Sequence, residues 1–168
     1  MSISTESLES ERLALVPLDV SAAPDMVDVL ADPALYAHTG GEPPDLDTLR
    51  DRYARQARGR SPDGRELWFN WIVRTREAST AVGYVQVTLA LDKGVAELAW
   101  VIGTDHQRRG YAQEAARTVI DWLDSSPRVQ RITAHIADAN LASQGVAERL
   151  GFVPTGERHE GEEVWLRR

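Results

Sequence analysis

Residues 68–102 hold three strand signals in close succession, and no other stretch limits the possible folds as tightly. Trp68 to Val73 is the first. Val82 to Leu91 is the second, with Val85, Val87, Leu89 and Leu91 on one face and Tyr84, Gln86 and Thr88 on the other, the period of two that a strand imposes. Asp92-Lys93-Gly94 then makes a tight turn into Val95 to Ile102, which is apolar on both faces except at Glu97. Connections this short join antiparallel neighbours, so the spacing predicts a meander. A last strand apolar on both sides belongs inside a sheet that is covered on both faces.

The flanking segments supply the cover. Arg12 to Leu18, with Leu13, Leu15 and Leu18 inward, reads as an opening strand. Ser21 is placed to cap a short helix that has Pro24 in its first turn and Met26, Val27, Val29 and Leu30 as its apolar residues. Residues 32–45 contain Pro33, Gly40, Gly41, Pro43 and Pro44 and read as a long loop, with room for one helical turn at Leu35 and Tyr36. Leu46, Leu49, Tyr53, Ala54 and Ala57 recur at helical spacing over Leu46 to Arg58. Beyond the meander the pattern changes. A helix over Gly110 to Leu123 carries its apolar stripe on Ala112, Ala115, Ala116, Val119, Ile120 and Leu123. Arg131 to Ala137 is a strand, Ser143 to Leu150 a helix closed by Gly151, and Phe152-Val153 and Val164-Trp165-Leu166 are terminal strands. Strand, helix, strand in that order requires a right-handed crossover between parallel strands. The expected fold class is therefore a mixed α/β (α+β) sheet, built as a single domain over residues 1–168.

Composition narrows the chemistry. With 168 residues, 42% of them hydrophobic, the chain can bury a core without staples, and with no cysteine it has neither a disulfide framework nor a thiol nucleophile. No apolar run reaches the length of a membrane span, and Met1 to Ser7 lacks the basic start and apolar stretch of a secretory signal, so the expectation is a cytoplasmic protein with no membrane partner. The net charge of -7 argues against nucleic acid as a partner. The four histidines, at 38, 106, 135 and 159, show no metal-ligand spacing, and His135 with Asp138 alone makes no site, so no metal is expected.

The basic residues are 18 Arg and one Lys, Lys93, so each Arg must be judged by its position. Arg108 and Arg109 flank Gly110 where a buried strand, a short polar loop and a helix start meet. First-turn amides of a helix lack internal partners and its dipole is positive there, so this is a place for an anion such as a pyrophosphate. Helices after strands also commonly begin with Gly, and two Arg in an Arg-rich chain carry little by themselves, so the residues alone leave both readings open. No G-x-x-x-x-G-K-[ST] or G-x-G-x-x-G occurs, which removes the P-loop and the Rossmann fingerprint.

Gln107-Arg-Arg-Gly110-Tyr-Ala112 resembles the Q-x-x-G-x-[GA] signature of the GNAT superfamily, the Gcn5-related N-acetyltransferases. Asp138-Ala-Asn140-Leu-Ala-Ser143 followed by Glu148-Arg-Leu-Gly151-Phe152 resembles the later N-x-x-S and E-K/R-L-G-F segment of that family. Glu11 to Leu18 is similar to the opening strand of its RimJ/RimL-like branch. The resemblance implies a six- to seven-stranded mixed sheet splayed at the fourth strand, here Val95 to Ile102, with about four helices on both faces. It implies that the backbone of Val101 and Ile102 holds the pantetheine and thioester carbonyl of acetyl-CoA. Gln107, Arg108, Arg109, Gly110, Tyr111 and Ala112 would hold its pyrophosphate, and Asn140 and Ser143 would touch the far side of the pantetheine. The activity implied is direct transfer of an acetyl group to a primary amine, a protein N-terminus or a small molecule, by a protein that in this family can be a homodimer.

Acyl transfer to an amine needs a proton acceptor, an oxyanion donor and a proton for the thiolate. Glu97 is the candidate base, as the one carboxylate in an apolar strand, where desolvation would favour its protonated form; a structural pairing with an Arg is the competing reading. The Tyr that serves many family members as acid falls at Ala147, which leaves Ser143, a water or unassisted departure; Ser143 could equally cap its helix. Tyr36, His38 and Trp71 are candidates for the acceptor pocket, although aromatics near a core often only pack. His106 reads as a solvated loop residue. A domain that binds acyl-CoA as a sensor without transferring is the alternative function, favoured by Ala147 and opposed by Glu97. A longer acyl group, admitted by small residues such as Ala99, is a further variant.

Overall fold

A computed structural model describes residues 4–167; Met1 to Ile3, part of the segment on which the expectation about a secretory signal rests, and Arg168 lie outside the described residues. The chain builds β1 (Leu8–Glu9), β2 (Leu13–Pro17), α1 (Ala23–Val29), α2 (Leu46–Gln56), β3 (Glu66–Thr75), β4 (Ala81–Ala90), β5 (Val95–Ile102), α3 (Tyr111–Asp124), β6 (Arg131–Ile136), α4 (Leu141–Arg149), β7 (Phe152–His159) and β8 (Glu162–Arg167). They form one mixed sheet in the order β1-β2-β3-β4-β5-β6-β8-β7. The expected meander is β3-β4-β5, and the sheet has eight strands because the two-residue β1, too short to leave a periodic signal, pairs with β2.

Two apolar clusters cover the sheet. Against one face, Met26 and Leu30 from the α1 region and Leu49 and Tyr53 from α2 pack on Ile72 and Ala81. On the other, Ala115, Ala116, Val119, Ile120 and Leu123 of α3 and Ala147 and Leu150 of α4 meet Leu13, Leu15, Trp71, Val85 and Leu98. Gly83 is needed where β4 meets β5: a Cβ there would collide with the Val101 carbonyl oxygen and approach the Ile102 Cα to 2.9 Å.

Two caps differ from expectation. Ser21 lies inside a 3-10 turn, Val20–Ala22, and its hydroxyl donates to Asp19 Oδ2 at 3.2 Å, so it does not cap α1. Ser143 does not cap α4 either: that helix starts two residues earlier, and Asn140 Oδ1 accepts the Ser143 amide at 3.2 Å. Asp45, by contrast, caps α2 by accepting the Thr48 amide at 2.7 Å.

Candidate active site

The site arises from an interrupted pairing. β5 is bonded to β4 along its whole length, from Ala90–Val95 to Gly83–Ile102. Its parallel pairing with β6 covers only Val95–Arg131, Ala96–Ile132 and Glu97–Thr133. Beyond Glu97 the two strands part, and β5 turns an unpaired edge toward the gap. Backbone N–H and C=O groups on such an edge require partners. Ala99 is exposed and Trp100 and Val101 are half-buried, although the sequence pattern has this strand covered on both sides.

A cavity of about 580 Å³ opens on that edge, lined there by Trp100, Val101 and Ile102. Trp100 rests on Phe152 of β7, ring centroids 6.5 Å apart. The cavity's second wall is the loop before α3. Arg108 (φ 63°) and Gly110 (φ 81°) both take the left-handed backbone conformation. Such a turn gathers successive N–H groups into an anion-binding concavity, and it delivers the chain into the first turn of α3. Gln107, Arg108, Gly110, Tyr111 and Ala112 all line the cavity. Gln107 also holds the loop to the strand, its Nε2 donating to the Ile102 carbonyl at 2.9 Å. Arg109 is not brought to the cavity: its carbonyl accepts from Arg12 at 2.9 Å, behind the loop.

That contact belongs to a latch the sequence reading missed. Glu114 accepts from the Ser10 hydroxyl at 2.6 Å, from the Arg12 amide at 3.0 Å and from Arg12 Nε at 2.7 Å. The Arg12 guanidinium lies over the Tyr111 ring, 4.7 Å from its centroid. Burial pushes the Glu114 carboxyl up, but the hydrogen bonds from Ser10 and Arg12 outweigh it and hold the group below its ordinary value. The partners lie about a hundred residues apart, so no local spacing signals them.

The third wall is the start of α4. Asn140 and Ser143 both line the cavity, with Asn140 Oδ1 engaged in its cap. The Ser143 hydroxyl finds no partner among the described residues. Ala147 is fully buried beneath this wall, so its position faces the core. His38 and His106 line the cavity, His106 half-buried at the end of the 3-10 turn Thr104–His106.

Glu97 sits on the last paired rung, where the strands separate. The expected desolvation is absent: its side chain is 43% exposed. Its partner is a histidine rather than an arginine, with Oε1 3.2 Å from His135 Nδ1. Two acceptor candidates are displaced. Trp71 is wholly buried, edge-on to Trp122 at 5.1 Å, and its indole N–H donates to the Glu6 carbonyl at 2.7 Å. Tyr36 is outside the lining, and its hydroxyl donates to the Leu30 carbonyl at 3.0 Å, fixing the loop after α1.

A larger cavity, about 850 Å³, lies against the start of β3 near Arg58, Arg60 and Asn70. Its helical contribution is the C-terminal end of α2, whose dipole has the wrong sign for a phosphate, so size does not select it. Among the described residues no group of side chains could hold a metal, and no helix is long and apolar enough to cross a membrane.

A family profile described as an acetyltransferase (GNAT) domain matches residues 12–153. The Bacillus subtilis (strain 168) protein "Uncharacterized N-acetyltransferase YjdG" is 32% identical over 150 residues, 87% of this chain and 89% of that protein. An acetyltransferase from Agrobacterium tumefaciens strain C58 superposes with a TM-score of 0.75 at 25% identity, covering 100% of this chain and 96% of its own. RimL, a ribosomal L7/L12 alpha-N-protein acetyltransferase in complex with coenzyme A, superposes with a TM-score of 0.78 at 17% identity over 96% of each chain, a likeness of fold. With the parted strands, the loop before α3 and this coverage, the chain belongs to the GNAT family of acetyltransferases.

Proposed function

We propose that the protein transfers an acetyl group from acetyl-CoA directly to a primary amine. The observation that carries this reading is the coincidence, in one cavity, of the unpaired β5 edge and the N-terminal turn of α3. A pantetheine arm has two amides in an extended chain, and the free edge from Leu98 to Ile102 offers it strand-like hydrogen bonds. The amides following Arg108, with its guanidinium, suit a pyrophosphate.

Acetyl-CoA supplies an activated thioester, and this chain's residues do the rest. The β5 amides that face the gap are those of Trp100 and Ile102, since the Gly103 amide bonds the Val82 carbonyl and alternation turns the Val101 amide to Tyr84 of β4; these two are the donors for the developing oxyanion. Glu97 takes the proton of the acceptor's ammonium. β5 advances about 3.3 Å per residue, so the Glu97 Cα lies roughly 10 Å from that of Trp100 and roughly 17 Å from that of Ile102, room for the carboxylate, the amine and the carbonyl along the strand. The carboxylate is half-exposed, so it can accept a proton without prior desolvation. The Ser143 hydroxyl, on the opposite wall and without a partner among the described residues, is the donor to the departing sulfur.

Calorimetric titration with acetyl-CoA tests the cofactor, and CoA release against peptide N-termini, aminoglycosides, polyamines and amino acids tests the transfer. Arg108→Glu is expected to weaken acetyl-CoA binding about tenfold or more, since it places a carboxylate where a phosphate would sit. Unchanged binding would remove the phosphate assignment. Tight binding with no CoA release across the panel would favour the sensor.

A further inference from the structure

Glu97 and His135 do not stand alone where β5 and β6 part. His159 of β7 places its ring 5.1 Å from that of His135, at 50°. Glu162 of β8 pairs with His159 across the β7–β8 hairpin, and Glu160 lies in the turn between them. The same charges act on Glu162: burial pushes its carboxyl up, His135 pulls it down, Glu97 and Glu160 push it up again, and His159 pulls it down. On the far side β4 contributes only the uncharged Thr88 and Gln86, opposite Glu97 and Ala99. His135 is the most enclosed member of its pair, 17% exposed against 43% for Glu97.

A carboxylate oxygen accepts, so a hydrogen bond across the 3.2 Å contact runs from the imidazole, through Nδ1–H. One oxygen of Glu97 thereby lies against β6, and the other accepts no hydrogen bond among the described residues. We infer that His135 is the positioning residue for proton transfer in this protein: it fixes Glu97 Oε1 through Nδ1–H so that Oε2 faces the acceptor's ammonium. The inference rests on the reading of Glu97 as proton acceptor. In the step concerned an N–H bond of the ammonium breaks, an O–H bond forms at Glu97 Oε2, and the electron pair left on nitrogen is the one that attacks the thioester carbon. His135 exchanges no proton in this step. Its hydrogen bond sets the rotamer of an otherwise mobile surface side chain, and formation of the imidazolium is not required.

The test uses two amines of different basicity, a hexapeptide amide with a free N-terminus and cadaverine, with CoA release as the readout. A peptide α-amino group has a pKa of about 7.7–8.0 and an alkyl amine like that of lysine about 10.4. The peptide is therefore already neutral at pH 9.5 and needs no base, whereas cadaverine still does. His135→Ala is expected to lower kcat at pH 7 by about tenfold or more for both amines, with KM and the acetyl-CoA Kd unchanged. At pH 9.5 the deficit should shrink to within about twofold for the peptide and persist for cadaverine. His135→Asn, whose amide nitrogen can occupy the place of Nδ1, should stay within about threefold of the parent at pH 7. A deficit independent of pH and of amine, with no rescue by Asn, would assign His135 a merely structural role and overturn the inference; so would an unimpaired His135→Ala. Full turnover by Glu97→Gln would instead overturn the base assignment itself and the positioning with it. A slow Glu97→Gln beside a normal His135→Ala would overturn the positioning alone. CoA release with neither amine by the parent protein would count against both.

Discussion

Glu114 and Glu97 are the same residue type, each beside a basic side chain and outside the lining of the cavity on β5, yet they are held in opposite ways. Glu114 accepts three hydrogen bonds of 2.6–3.0 Å from Ser10 and Arg12 and is 20% exposed. Glu97 has one contact, at 3.2 Å, and is 43% exposed. A carboxylate with both oxygens engaged is part of the frame: it locks the turn between β1 and β2 to α3 and, through Arg12 and the Arg109 carbonyl, the loop before α3. A carboxylate with one oxygen tied and one free has capacity left for a proton. The lesson is that satisfaction, rather than residue type or proximity to the cavity, separates the structural acid from the reactive one.

The contrast can be broken at either end. The largest expected effect is on chemistry at Glu97. Glu97→Gln should lower kcat with an amine at neutral pH by about a hundredfold or more, and steady-state CoA release measures it. The same variant should leave the free energy of unfolding within about 0.5 kcal/mol of the parent, because an exposed pair contributes little.

The next effect is on stability at Glu114. Glu114→Gln retains the shape but weakens the bonds from Arg12 and Ser10, and urea denaturation should show a loss of about 1–3 kcal/mol. Acetyl-CoA affinity should fall as well, because the loop loses its tether, while kcat at saturation stays near the parent value. A variant with intact stability would place Glu114 with the dispensable surface charges.

The smallest effect is a pH dependence of stability. In the folded protein the Glu114 carboxyl is held below its ordinary value, so the fold binds fewer protons there than the unfolded chain. The latch then contributes fully above the ordinary carboxylate range, and its contribution is lost as pH falls through the lowered folded-state value. The urea midpoint of the parent should drop between pH 5 and the acid limit more steeply than that of Glu114→Gln. Parallel curves would show that the latch carries no proton linkage.

The loop from Gln107 to Ala112 was legible in the sequence because its geometry is carried by local backbone: it needs only a strand end, a left-handed turn and a helix start, all adjacent in the chain. The meander was legible for the same reason, through short turns and alternation. Trp71 was misread because β3 is buried on both faces from Phe69 to Val73, so alternation gives no inside or outside there. The start of α4 shifted because Asn140 and Ser143 are both good caps, and only the backbone decides between them. The latch joins residues 102 positions apart, and the Glu97–His135 pair depends on the parallel register that sets Glu97 beside Thr133. Neither distance leaves a trace in local spacing.

The central claim is that the unpaired edge of β5 and the first turn of α3 receive one ligand, acetyl-CoA. Amide hydrogen exchange with and without acetyl-CoA tests it most directly, since the claim concerns backbone groups that mutation cannot remove. The account predicts slowed exchange in the segment from Leu98 to Ile102 and again from Arg108 to Gln113, with the start of β3 around Arg60 to Asn70 unchanged. Protection confined to the larger cavity at β3, or none along β5, would contradict it.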